Sequence, residues 1–176
     1  MTRLVEDPVL KQRYSFTREG DVLTVELWVD PGGGVTPHVH PAMEERFKVL
    51  AGEVEFLAGR RWERRDEIVV PAGARHAFRN RGTATAHMVT EVEPAMELEG
   101  FLADVAELAR RKRFTRRGVP TSPRAAVELA QLAMRYSDTV ELETPMRPLV
   151  PLLARLGSSR TAGHSTARGD RAHDRA

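Results

Sequence analysis

The first half of the chain carries glycine- and proline-rich turn signals about every eight to twelve residues, which leaves room only for short strands. The clearest strand is predicted at 22–30, where Val25, Leu27 and Val29 alternate with Thr24 and Glu26. Further strands are predicted at 13–17, 46–50, 54–57, 67–70, 77–79 and 86–92. Short strands at this spacing predict an all-β fold, an antiparallel sandwich or barrel.

The hydrophobic period changes after Pro94 from that of strands to that of helices. Apolar residues recur at helical spacing from Leu98 to Ala109, with Glu97 before them and Arg110 after them. Both charges complement a helix dipole. A second helix is predicted to open at Ser122, and a third, short one covers 149–156.

These changes of pattern predict three segments. Residues 1–95 form the β domain, and 96–156 form a C-terminal α-helical appendage. Residues 157–176 contain little that could be buried in a core, so we predict a disordered tail.

The chemistry open to this chain is limited by its composition. It has no cysteine and six histidines, so metal binding and acid–base chemistry must use histidine and carboxylate side chains. No apolar stretch is long enough to cross a membrane, and the start lacks the apolar core of a secretory signal. We therefore expect a cytoplasmic protein without membrane contact. The basic cluster 110–117 carries one interleaved aromatic, Phe114, and 27 basic residues are balanced by 25 acidic ones, so nucleic-acid binding is not expected.

One constellation of histidines and a glutamate carries a specific chemical signal. His38 and His40 are two residues apart, so on a strand both rings point to the same side. Glu45 begins the next strand, and His76 begins a later one. Three neutral imidazoles and one carboxylate suit a divalent metal ion and leave two positions of an octahedral ion open. Glu44 competes with Glu45 for the same role.

The spacing of these residues resembles that of the cupin superfamily. The first cupin motif places glycine, His-x-His, glutamate and glycine at fixed intervals, and Gly32, His38, His40, Glu45 and Gly52 match every position. The second motif is matched at Pro71, Gly73, His76 and Asn80, while its leading glycine is replaced by Arg65. The matching part of the chain is roughly 10–94.

The resemblance implies a double-stranded β-helix (jelly-roll or cupin barrel) with a metal ion held inside by His38, His40, Glu45 and His76. Fe²⁺ is the expected ion, with Mn²⁺, Ni²⁺, Zn²⁺ or Cu²⁺ as alternatives. Similar proteins are often dimers, so a homodimer is expected.

Two further side chains are candidates for proton transfer or for supporting the metal ligands. His87 and Glu91 lie on the last predicted strand, in phase with each other, and Glu26 is considered for the same role. The competing interpretation is that His87 is an ordinary strand histidine, either exposed or satisfied by hydrogen bonds.

Three functions follow from the resemblance. The first is a metal-dependent enzyme acting on a small organic molecule, by dioxygenase-like oxidation of a phenol or enol. The second is a metal-assisted cyclase or isomerase of a polyketide-type biosynthetic pathway. The third is a non-catalytic small-molecule-binding or sensor protein, or an accessory protein whose metal only stabilises the barrel.

Overall fold

The fold is described from a computed structural model, which covers residues 4–143 and 149–158. The strands are β1 (Val5–Asp7), β2 (Gln12–Glu19), β3 (Val22–Val29), β4 (His38–Val39), β5 (Glu44–Ala51), β6 (Glu55–Ala58), β7 (Arg61–Arg64), β8 (Glu67–Val70), β9 (Phe78–Arg79), β10 (Ala86–Glu93) and β11 (Glu141–Leu142). The helices are α1 (Leu98–Arg110), α2 (Pro123–Arg135) and α3 (Val150–Ser158).

The strands form antiparallel sheets of two, three and six strands. The largest has the order β1-β2-β3-β10-β5-β8, the second has the order β7-β6-β9, and β11 pairs with β4. Backbone hydrogen bonds between Val35 and Phe78 and between His38 and His76 continue the pairing between β4 and β9. The architecture is the double-stranded β-helix that the resemblance implied.

Alternation along the central strands separates an apolar interior from a polar exterior. On β3 every second side chain from Leu23 to Val29 is buried, and on β10 the buried set runs from Ala86 to Val92. The register places Leu23 opposite Val92, so both buried sets face the same interior. This interior houses the candidate site described below.

The longer predicted strands are confirmed, and four short ones were missed. The structure extends the predicted strand 13–17 to Gln12–Glu19 and the predicted strand 46–50 to Glu44–Ala51. The short strands β1, β4, β7 and β11 are absent from the strand prediction, because each contains a single apolar residue and so shows no alternation.

The three predicted helices are also present. Ser122 caps α2 by accepting a hydrogen bond from the Ala125 N–H, and Pro123 occupies the first turn. The third helix is Val150–Ser158, so Gly157 and Ser158 are helical and not part of a tail. The remainder of the predicted tail, 159–176, lies outside the described residues.

The helical appendage shares one hydrophobic core with the barrel. Phe101, Leu132 and Tyr136 belong to the same buried cluster as Leu23 and Val92. Beyond α2 the chain returns to the barrel, where Leu142 pairs with His38 and Glu141 with Val39. The core therefore crosses the proposed boundary at residue 95, and the division into domains stays a prediction.

Three arginines of the basic run at the end of α1 pair with acidic neighbours. Arg110 lies 2.8 Å from Glu107, while Arg111 and Arg113 lie 3.0 and 2.8 Å from Glu128. None of the helices formed by the described residues is long and apolar enough to span a bilayer.

The barrel interior predicts a large difference between two leucines. Leu23→Ala leaves a cavity at a site with no solvent exposure and should lower the free energy of unfolding by roughly 2–5 kcal/mol. Leu50→Ala is the matched control, because Leu50 is 50 % exposed and should change stability by less than about 0.5 kcal/mol. Urea unfolding followed by circular dichroism measures both, and equal losses would contradict this packing.

Candidate metal centre

Four side chains from three separate segments meet inside the barrel. His38 lies on β4, His40 follows it, Glu45 lies on β5, and His76 lies between β8 and β9. His38 and His76 exchange both backbone hydrogen bonds at 3.0 Å, so the two segments are fixed directly against each other. Glu45 lies between Val92 of β10 and Val70 of β8, both of which are buried.

The side-chain atoms of this cluster lie close enough to share one ion. One ligand atom from each of the four residues lies within 4.8 Å of all the others. Glu45 Oε2 is 2.6 Å from His76 Nε2 and 3.6 Å from His40 Nε2. His40, Glu45 and His76 are each 5 % exposed or less.

The backbone fixes which nitrogen of each ring is available. Nδ1 of His38, His40 and His76 lies 2.9, 2.7 and 3.1 Å from the carbonyl oxygens of Thr36, Thr139 and Ala74, in that order. A carbonyl oxygen can only accept, so each Nδ1 carries the proton and donates. Nε2 is the nitrogen left for a ligand, which is how metal-binding histidines are commonly held.

Burial keeps two of the rings neutral. Burial, together with the neighbouring His76 and His40, lowers the pKa of His38 from 6.5 to about 3. Burial also lowers the pKa of His40, although Glu45 and the Thr139 carbonyl oppose the shift. Neutral imidazole is the form that binds metal, so both rings are ready to act as ligands at neutral pH.

Glu45 and His76 carry the charge of the cluster. Burial would raise the pKa of Glu45, but the close contact with His76 and the nearby His40 and His38 rings together lower it. Burial would likewise lower the pKa of His76, but Glu45 and the Ala74 carbonyl raise it. In the absence of metal, the lowered pKa of Glu45 and the raised pKa of His76 both favour a carboxylate anion beside a protonated ring.

The donor set fits a divalent metal ion. Glu45 Oε2 and His76 Nε2 lie 2.6 Å apart, and neither atom has a further hydrogen-bond partner among the described residues. Three imidazole nitrogens and one carboxylate oxygen are donors that suit Fe²⁺, Mn²⁺, Ni²⁺, Zn²⁺ or Cu²⁺.

The structure brings Glu45, and not Glu44, to the three rings. Glu44 points outward on β5 and pairs with Arg46 at 2.5 Å. Two other motif residues support the fold around the site. Gly52 has a φ of +80°, and a Cβ there would meet the Ala86 backbone at 2.7 Å. The buried Asn80 amide donates to two backbone carbonyls and its oxygen accepts from the Gly82 N–H.

His87 and Glu91 are not brought to the cluster. Both lie at outward positions of β10, because the alternation that buries Met88 and Thr90 turns their neighbours away from the interior. His87 Nε2 instead lies 2.8 Å from Glu26 Oε1, and its ring stacks on Trp28. The structure thus corrects the expectation that His87 and Glu91 act in proton transfer or support the metal ligands, because both side chains lie on the outer surface of the barrel.

A cavity of ≈ 180 Å³ opens beside the cluster. Its wall includes His38, His40 and Glu45 from the site, and apolar side chains from both the barrel and the appendage. The lining residues include Phe47 and Phe78 from the barrel. They also include Leu102, Val105 and Leu129 from the helices. The appendage therefore supplies part of the cavity wall.

Sequence reasoning missed several polar residues that surround the site. Gln12, Tyr14 and Thr90 are buried and line the same cavity. Thr139 supplies the carbonyl that orients His40 from 99 positions away. Inward alternation on β2 and β10 could have indicated the first three, whereas the Thr139 contact is a backbone interaction that leaves no signal in residue identity.

Comparison with known families agrees with this geometry. Residues 25–92 match the family model described as Cupin domain (Cupin_2). No curated protein matches the chain.

Several solved structures are similar to part of this chain, and the first of those below shares its fold. An RmlC-like cupin from Shewanella frigidimarina shares 16% identity over 56% of this chain and 89% of its own, with a TM-score of 0.51. A protein with a double-stranded beta-helix domain from Klebsiella pneumoniae shares 23% identity over 49% and 75%, with a TM-score of 0.45. A sugar phosphate isomerase from Silicibacter pomeroyi shares 18% identity over 48% and 60%, with a TM-score of 0.46.

The site predicts that two histidine substitutions differ sharply in metal affinity. His76→Ala removes a ligand, and it should weaken Zn²⁺ or Mn²⁺ binding by more than the roughly 10- to 100-fold that loss of an outer-shell partner costs. His87→Ala removes an imidazole from the outer surface and should leave affinity unchanged. Isothermal titration of metal-stripped protein measures both. Equal affinities in the two variants would place the metal elsewhere.

Proposed function

We propose that this chain, whose residues 25–92 form a cupin domain, is a metal-dependent enzyme that oxidises a small phenol or enol with dioxygen. The observation that carries the proposal is the juxtaposition of the His38–His40–Glu45–His76 cluster with a largely apolar cavity. Such cavities with a few convergent polar groups are the usual form of small-molecule sites.

The four side chains would hold the ion and leave part of it open to the cavity. When bound, a divalent metal lowers the pKa of a coordinated phenol or enol oxygen and brings dioxygen within reach of the substrate. Fe²⁺ is the ion we propose. Glu45 contributes the one negative charge among the four side chains, and the backbone bonds to the rings keep the Nε2 atoms aimed at a common point.

The surrounding side chains would orient the substrate and exclude water. Phe47 and Phe78 pack with ring centroids 5.9 Å apart beside the cluster and offer a flat apolar contact for a ring. Leu102 and Val105 of α1 cover the opposite side of the cavity. Water excluded from such a site strengthens the electrostatic interactions within it.

The side chains of the cavity favour oxidation over cyclisation or isomerisation. Apart from the metal-site residues, the titratable side chains that line it within the described part of the chain are Tyr14, Arg116, Arg117 and Glu143. Both arginines and Glu143 are exposed, and burial with the nearby Asp7 carboxylate raises the pKa of Tyr14, so Tyr14 holds its proton. A cyclase or isomerase needs a group that gives and takes a proton near pH 7 beside the reacting carbon.

The oxidation is tested with protein reconstituted with Fe²⁺ under nitrogen and then given air and one-ring phenols or enols. We expect oxygen uptake that depends on substrate, measured with an oxygen electrode and matched to product by mass spectrometry. His76→Ala should abolish uptake because the ion is lost, and His87→Ala should retain it.

Two other results would replace this proposal. Conversion of substrate under nitrogen, with no oxygen consumed, would identify the cyclase or isomerase. Tight binding of a small molecule without conversion in either atmosphere would identify a sensor or binding protein. The homodimer, the cytoplasmic location and a place in a biosynthetic pathway stay predictions.

A further inference from the structure

Three buried polar side chains line the cavity without partners of their own. Gln12 Nε2 and Oε1, Tyr14 Oη and Thr90 Oγ1 have no hydrogen-bond partner among the described residues. Gln12, Tyr14 and Thr90 are 2 %, 1 % and 4 % exposed, so bulk water does not satisfy these atoms. Leaving a buried polar atom unpaired costs roughly 1–3 kcal/mol.

These residues occupy one curved face of the barrel interior. Gln12 and Tyr14 are successive inward positions of β2, and Thr90 is an inward position of β10. The register places Tyr14 opposite Leu27 and places Leu27 opposite Met88, the inward neighbour of Thr90. We call Gln12, Tyr14 and Thr90 the polar wall.

The polar wall begins beside the metal ligands and extends away from them. Thr90 pairs with Phe47, and Glu45 is the next inward residue on β5, so Thr90 and Glu45 are diagonal neighbours about 7–8 Å apart between α-carbons. β2 lies three strands from β5 in the order β2-β3-β10-β5. A flat sheet would separate them by about 14 Å, and the curvature of the barrel shortens that span.

The chemistry of the polar wall selects a particular kind of group. The Gln12 amide offers a donor and an acceptor, while the hydroxyls of Tyr14 and Thr90 offer either. The Tyr14 hydroxyl keeps its proton, because burial and the nearby Asp7 carboxylate raise its pKa well above the usual value. A ligand group that both donates and accepts, such as a carboxamide, satisfies all of these atoms better than a charged or purely apolar group.

The size of the cavity limits the rest of the ligand. A cavity of about 150 Å³ binds benzene, so the ≈ 180 Å³ here holds one ring with short substituents. The apolar residues between the two polar ends suit such a ring. Val25, Leu27 and Phe78 are among them.

We propose that Gln12, Tyr14 and Thr90 determine substrate specificity by hydrogen-bonding a donor–acceptor substituent at the end of a one-ring substrate opposite its metal-binding oxygen. The proposal deepens the proposed function and rests on it for the metal-binding oxygen. The polar wall itself is a property of the metal-free barrel, so its part can be tested without metal.

Ligand binding is measured with two pairs of phenols matched in size. Meta- and para-hydroxybenzamide carry the donor–acceptor group, while meta- and para-isopropylphenol replace it with an apolar one. We expect one of the amides to bind wild-type protein about tenfold or more tightly than its apolar counterpart, in metal-free and Zn²⁺-loaded protein alike. Isothermal titration gives the affinities.

The variants Tyr14→Phe, Thr90→Val and Gln12→Met should remove the preference for the amide and leave the affinity for isopropylphenol within about twofold of wild type. Thr24→Val is the control for Thr90→Val, because Thr24 lies on the outward face of β3 and should change neither affinity.

Stability separates this role from a structural one. The Tyr14 hydroxyl lacks a partner, so Tyr14→Phe should unfold at the same or a higher urea concentration than wild type. Tyr136→Phe is the matched control, since the Tyr136 hydroxyl donates to Asp104 Oδ2 at 2.7 Å, and it should unfold at a lower concentration.

The binding and stability measurements each test the proposed role of the polar wall independently. An amide preference that persists in a protein unable to bind metal would leave the polar wall standing and reject the metal-dependent enzyme. Equal affinity for amide and isopropyl compounds, or no binding of either, would overturn the polar wall whatever the metal does. A loss of stability in Tyr14→Phe equal to that in Tyr136→Phe would show a structural partner and also overturn it.

Discussion

The burial of one carboxylate among three imidazoles is the constraint on which the rest of this structure depends. Taking an isolated carboxylate out of water costs several kcal/mol, and the rings beside Glu45 offset that cost. The arrangement works only if the rings stay in place, and each ring is held by a backbone carbonyl. The reciprocal backbone bonds between His38 and His76 then fix two of the three segments as one unit. The ligand geometry is therefore built into the sheet rather than into mobile side chains.

The appendage is part of this arrangement and not a cover added to a finished barrel. Thr139 lies just beyond α2, and its carbonyl orients the His40 ring. Four residues later, Glu143 lies 2.6 Å from Arg75, the neighbour of His76, and between them β11 pairs with β4. The segment 139–143 thus contacts two of the three ligand-bearing segments, the one with His38 and His40 and the one with His76. Helices α1 and α2 supply the apolar side of the same cavity, so the appendage both orients a ligand and shapes the space in front of it.

The predictable parts of the fold and site all correspond to a regular pattern in the sequence, either a periodicity or a fixed spacing. The alternation in β3, the capping by Ser122 and the spacing of His38, His40, Glu45 and His76 are all of this kind. The pairing of β11 with β4 is not, because it joins two-residue strands about a hundred positions apart. The outward placement of His87 depends on the register and facing of β10. Phase alone could place it with Glu91 but could not tell the inside from the outside of the barrel.

The unsatisfied polar atoms of the interior mark positions where the chain loses some stability in favour of ligand binding. Asn80 is as deeply buried as Tyr14, yet every polar atom of its side chain is paired with backbone, as a purely structural residue requires. Gln12, Tyr14 and Thr90 could have been leucine, phenylalanine and valine at a gain in stability, since an apolar core needs no partners. Natural chains depart from this rule chiefly at functional sites. Asn80 therefore holds the fold, whereas the unpaired atoms of Gln12, Tyr14 and Thr90 line the cavity and are available to a ligand, with or without a metal ion.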